Sequence, residues 1–149
     1  MISRRKLLGS AAAFSVAGSL GGMMLPAVAD DDISHWVYHV AIYDSRFPTA
    51  AQFAEQARQS SVAVAAISGD VTDIWYHQLY HHWQSRRTPI AGLVALPSLF
   101  CLRLLARDQG MRMVYRQDIA ADPALAQPAL ALFVIAEPSM VSQSTGGII

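Results

Sequence analysis

Cysteine and lysine are almost missing from this chain of 149 residues: Cys101 stands alone, and Lys6 is the single lysine. One cysteine excludes an internal disulfide, a Cys-x-x-Cys-His haem attachment and a cysteine-ligated iron–sulfur cluster. Cys101 falls in Leu99-Phe100-Cys101-Leu102, surroundings that predict a small buried hydrophobe rather than a reactive thiol. Also missing are a Gly-x-Gly-x-x-Gly dinucleotide fingerprint, a Walker-type Gly-Lys-Ser/Thr and the nucleophile patterns Ser-x-x-Lys and Gly-x-Ser-x-Gly. There is no internal repeat and no long low-complexity linker. Nothing in the residues names a reaction.

What is present begins with Ser3-Arg4-Arg5-Lys6-Leu7-Leu8, followed by a stretch from Leu7 to Leu25 that is only mildly apolar and broken by Gly18, Gly21 and Gly22. Ala27-Val28-Ala29 then places small residues where a signal peptidase reads, just before Asp30-Asp31-Asp32. This pattern resembles the twin-arginine export signal of bacteria. The resemblance covers residues 1–29 only. It implies removal of that segment, export of an already folded protein to the periplasm by the twin-arginine machinery, and no stable membrane span after cleavage. An uncleaved N-terminal anchor is the alternative, which the short, glycine-broken apolar stretch disfavours.

Removing the signal leaves 120 of the 149 residues and takes away three of the 11 bases but none of the 11 acids, so the remainder carries a formal −3. Its eight bases are all arginine. A weakly acidic domain without a basic cluster argues against nucleic acid or anionic membranes as partners. Its length suits one domain with a core that needs no staples.

Periodicity predicts the elements. Trp36 to Tyr43 reads as a strand covered on both faces, Thr49 to Gln59 as an amphipathic helix, and Ser61 to Ile67 as a second buried strand. A helix follows Asp70, which with Asp73 resembles a capping pair, and runs to about Gln84. Pro89 to Val94 is a third strand. Ser98 to Gln109, apolar on nearly every side apart from Arg103 and Arg107, predicts a largely buried helix ended by Gly110. Met111 to Gln117 alternates as an edge strand, with Met113 and Tyr115 opposite Val114 and the arginines, and Ala129 to Ala136 is a further apolar strand. The expectation is a single α/β domain over residues 30–141 with a flexible tail at 142–149. Its fold is one small open sheet of about five strands, mainly parallel, with helices on both faces.

Chemistry in such a sheet favours the carboxyl ends of the strands. Candidate ligand-binding residues there are Asp44, Ser45 and Arg46 after the first strand, Asp70 and Thr72 after the second, and Gly92 and Ser98 around the third. A carboxylate, a guanidinium and helix N–H groups suit a small anionic solute. The same residues also suit turns, caps and a solvated charge. In Trp75-Tyr76-His77-Gln78-Leu79-Tyr80-His81-His82-Trp83, His77 and His81 share a helical face and are the candidate Zn or Cu ligands. The pair lacks the intervening Glu of a zincin and needs further ligands, with His35 and His39 the only imidazoles outside that run. Tyr76, His77 and Tyr80 are the candidate partner patch if they fall outside the buried arc. No cofactor is evident. The sequence therefore points to a periplasmic binding or accessory protein, a small subunit or export partner of an enzyme. A small metal-dependent or strand-end-cleft enzyme and a receptor for an anionic solute are the alternatives.

Overall fold

The computed structural model describes residues 36–141. The twin-arginine segment with its expected cleavage site, Asp30 to Asp32, His35 and the expected tail at 142–149 lie outside the described residues. Three strand-then-helix units come first: β1 (Val40–Asp44), α1 (Pro48–Gln59), β2 (Val64–Ile67), α2, β3 (Ile90–Ala95) and α3 (Leu96–Asp108). Two further strands follow, β4 (Arg112–Ile119) and β5 (Leu130–Ala136), joined through a 3-10 turn at Pro123–Leu125. Helix α2 comprises Thr72–Ile74, a π-helical stretch Trp75–Leu79, and Tyr80–Ser85. Prolines at the start of α1 and α3 lie where a missing N–H costs nothing.

The five strands form one open sheet in the order β2-β1-β3-β5-β4. An α/β fold with one open sheet is what the sequence predicted, but a mainly parallel sheet is not what forms. β1 pairs parallel with β2 and β3, whereas β5 runs antiparallel between β3 and β4, and these antiparallel ladders are the longer ones. The reason lies in the connection after Ile119. A parallel return needs a crossover of a dozen or more residues, usually a helix. The segment before Leu130 offers only a 3-10 turn and an Asp122–Gln127 bridge, so the chain folds straight back.

Helices cover both faces. Ala50, Phe53 and Ala57 of α1 pack with Ala41, Leu93, Leu132 and Val134 on one side of the sheet. Trp75, Leu79 and Trp83 of α2 and Leu99 and Leu102 of α3 pack with Ile42, Val94 and Phe133 on the other. Every residue of β3 and β5 is buried, which explains their unbroken apolar sequences. Gly92 in mid-β3 allows close approach: a Cβ there would lie 2.6 Å from the Ile42 carbonyl oxygen and the Phe133 ring.

Four local expectations change. β2 is not a buried strand: it lies at the edge of the sheet and only its last residue, Ile67, is buried. β1 starts at Val40, and the residue before it leads in, the His39 N–H donating to the Pro89 carbonyl at 2.8 Å. The alternation of β4 breaks at a bulge between Met113 and Tyr115, so Met113 packs under α2 and α3 while Val114 and Tyr115 face the α1 side. Helix α3 is not largely buried: Phe100 is 54% and Leu104 41% exposed, and Cys101 is exposed rather than a buried hydrophobe. One row of leucines (Leu99, Leu102) suffices to reach the sheet, and nothing among the described residues covers the outer row.

Candidate functional site

Three groups stand out: the strand ends, the outer face of α2 and a stacked histidine pair. At the strand ends, Asp44 is fully buried at the last position of β1. Arg46 turns back over it, donating from Nε to Oδ1 at 2.9 Å and from Nη2 to Oδ2 at 2.7 Å, and the Arg46 N–H adds a third bond to Oδ1. These bonds to Asp44 raise the Arg46 pKa above its already high ordinary value. The guanidinium also stacks on Phe47 and covers Gly69, where a Cβ would stand 3.0 Å from Nη2. Gly69 has φ +98°, a conformation that glycine adopts without strain.

The other strand ends join this cluster. The Ser45 N–H and hydroxyl both donate to the Ile67 carbonyl, and the Ser45 hydroxyl lies 3.5 Å from that of Ser68. Ser98 at the start of α3 donates to the Gly69 carbonyl at 2.7 Å. Asp70 accepts from both the N–H and the hydroxyl of Thr72, and these bonds hold its carboxyl below the usual range. The structure thus gathers Asp44, Ser45, Arg46, Asp70, Thr72 and Ser98 around one end of the sheet. Gly92 is not among them, since β3 continues to Ala95. The gathered groups are largely engaged with one another. They tie three loops together, and an anion entering here would have to compete with Asp44 for the Arg46 fork.

The outer face of α2 is different in kind. Apolar Val71, Trp75, Leu79 and Trp83 recur every four residues, longer than the roughly 3.6 of an α-helix. A straight α-helix would carry the last of them off the sheet. The π stretch, with its wider i→i+5 turn, keeps all four inward and buried. Tyr76 (60% exposed), His77, Tyr80 (38% exposed) and His81 are left on the outside, so the aromatics expected as a partner patch do fall outside the buried arc. His77 Nδ1 lies 3.0 Å from the Asp73 carbonyl, and the His81 ring meets Tyr80 edge-on. Among the described residues no group of three or more His, Cys, Asp or Glu side chains is placed to hold a metal.

Sequence reasoning missed the pairing of His39 with His82. Their rings stack with centroids 3.6 Å apart and planes within 5°, and His82 Nε2 lies 2.9 Å from the Thr88 hydroxyl. Burial first, and the neighbouring His82 second, lower the His39 pKa; burial and then Arg86 lower that of His82. No spacing could have shown this pair, because it forms only when β1 and β3 lie side by side and α2 crosses beside their starts.

The architecture defines a small three-layer α/β protein built on a mixed five-stranded sheet. Among its described residues no helix is long and apolar enough to cross a membrane. Comparisons with protein families, curated proteins and solved structures find no match to this chain.

Proposed function

We propose that this protein is an exported binding or accessory subunit that docks on a protein partner through the outer side of the α2–α3 layer. One observation carries the reading. Of the six exposed large hydrophobic side chains among the described residues, four (Tyr76, Tyr80, Phe100 and Leu104) lie on the two helices that cover one face of the sheet. Scattered apolar residues are ordinary on a surface, but concentration on one layer marks an interaction face. Its tyrosines and phenylalanine are the residue types enriched in interface cores. The export signal that residues 1–29 resemble supports a folded passenger travelling with, or docking beside, an exported enzyme. The strand ends support the rival anion-receptor reading less well, because Asp44 already occupies the Arg46 fork.

The test uses protein released from the periplasm of its native cells at its natural level. Light scattering after size exclusion should find it in a complex heavier than the 16.2 kDa of the full chain. A Tyr76→Ser/Phe100→Ser variant should run as a monomer with its melting temperature unchanged. A wild-type monomer sinks the proposal. Elemental analysis of the same sample should find no stoichiometric Zn or Cu. Metal that disappears on changing His77 and His81 to Ala would replace the partner reading with the metal-dependent one.

A further inference from the structure

We propose that the groove between the C-terminal half of α3 and the start of β4 binds a small organic dianion, a phosphate monoester or a dicarboxylate. The distribution of arginine points there. Beyond residue 29 the chain has eight arginines. Four are paired with carboxylates: Arg46 with Asp44, Arg58 with Glu55, Arg87 with Glu137 and Arg116 with Asp118. The other four, Arg86, Arg103, Arg107 and Arg112, have no acidic partner among the described residues. Three of those four line one groove of about 360 Å³, with Met113 as its apolar wall.

Their placement is costly within the fold itself. Arg103 and Arg107 stand four apart on one helix, where like charges repel. Arg112 returns beside them just beyond Gly110. The dipole at the end of α3 favours cations in its last turn, which accounts for Arg107 and for Arg112, whose Nη1 donates to the Arg107 and Met111 carbonyls. It does not account for Arg103, a turn further back and partly buried. Arg112 keeps its Nε and Nη2 edge for a ligand, and among the described residues no hydrogen bond engages the forks of Arg103 and Arg107. Guanidinium forks fit carboxylate and phosphate oxygens in a paired, planar way. The groove is at the small end of ligand sites, roughly 300–1,000 Å³, and the Met113 thioether offers contact to a short carbon skeleton. A polyanion is a worse fit, because the chain beyond residue 29 is net negative. The groove is also remote from the Arg46 cluster: β1 ends at Asp44, whereas Arg112 begins β4 and pairs with Ala136 at the far end of the sheet.

Thermal melts and titration calorimetry test the site with inorganic phosphate, glycerol phosphate and succinate, each against sodium chloride at matched ionic strength. The expected result is a melting temperature raised by a few degrees at millimolar dianion, beyond the chloride control. Arg103→Gln/Arg107→Gln, and separately Arg112→Gln, should weaken binding at least about tenfold, while Arg58→Ala on the opposite side of the sheet should not. Tighter binding of glycerol phosphate or of succinate identifies which dianion chemistry the site takes. An equal shift with chloride, no shift with any probe, or full response in both groove variants overturns the proposal.

Discussion

Glycine 92 shows how strictly one residue is fixed when a strand is covered on both faces. An added methyl would meet the Ile42 carbonyl and the Phe133 ring at 2.6 Å, and the carbonyl belongs to a paired strand that cannot withdraw. Gly92→Ala should therefore lower unfolding stability by about 1–3 kcal/mol in a urea titration, the usual cost of overpacking. A loss within error would show that β3 shifts to make room. Asp44 and Arg46 give a second expectation, and it is asymmetric. Asp44 is fully buried while the Arg46 side chain is 48% exposed. Arg46→Ala leaves a buried carboxylate without its counter-ion and should cost the most, towards about 3 kcal/mol. Asp44→Asn leaves only a guanidinium that water already reaches, and should cost less. The opposite order in a denaturation series would mean that the pair does not hold the strand end together. Both residues were readable in the sequence as polar punctuation after a strand. The burial of Asp44 was not, because it depends on Arg46 folding back over it and on β2 pairing along the end of β1.

At the scale of elements, α2 carries the clearest division of labour. Trp83 is buried and its indole N–H donates to the Thr88 carbonyl at 2.9 Å, whereas Tyr76 points outward. Trp83→Ala should cost roughly 3–5 kcal/mol and Tyr76→Ala almost nothing, measured by the same denaturation series. The sequence showed the four-residue apolar spacing, but not that a π turn would absorb it. The His39–His82 stack joins the entry to β1 to the end of α2, with Thr88 bonded to His82 and Arg86 the nearby cation. Both imidazoles have lowered pKa values in the folded protein. An unfolded histidine titrates near about 6.5, so below that pH the unfolded chain binds more protons than the folded one. The stability from the neutral stack is complete above that pH and falls as the pH drops through it towards the lower folded values. Melting curves between pH 8 and pH 5 should show this decline, and His39→Phe should flatten it. An unchanged slope in that variant would assign the decline to other groups.

For the whole molecule, hydrophobic pattern carried the order of strands and helices, and the turn between β4 and β5 decided the topology. Three β-then-α units were legible because a strand and an amphipathic helix have different periods. The direction of β5 was not, since its all-apolar sequence suits a parallel and an antiparallel central strand equally. The strand-end cluster was legible as a set of residues, with Gly92 the exception. The arginine groove was not, because its members come from two elements that meet only through the tertiary fold. The resulting sheet has a graded stability. β3 and β5 have partners on both sides and are buried throughout, whereas among the described residues β2 pairs only with β1 and buries only Ile67. Local opening follows such differences in burial and pairing. Hydrogen exchange on the isolated protein should therefore find the β3 and β5 amides opening only with global unfolding and the β2 amides exchanging orders of magnitude faster. If β2 is protected as strongly as β3, something covers that edge in solution, and the docking surface belongs there rather than on the outer side of α2 and α3.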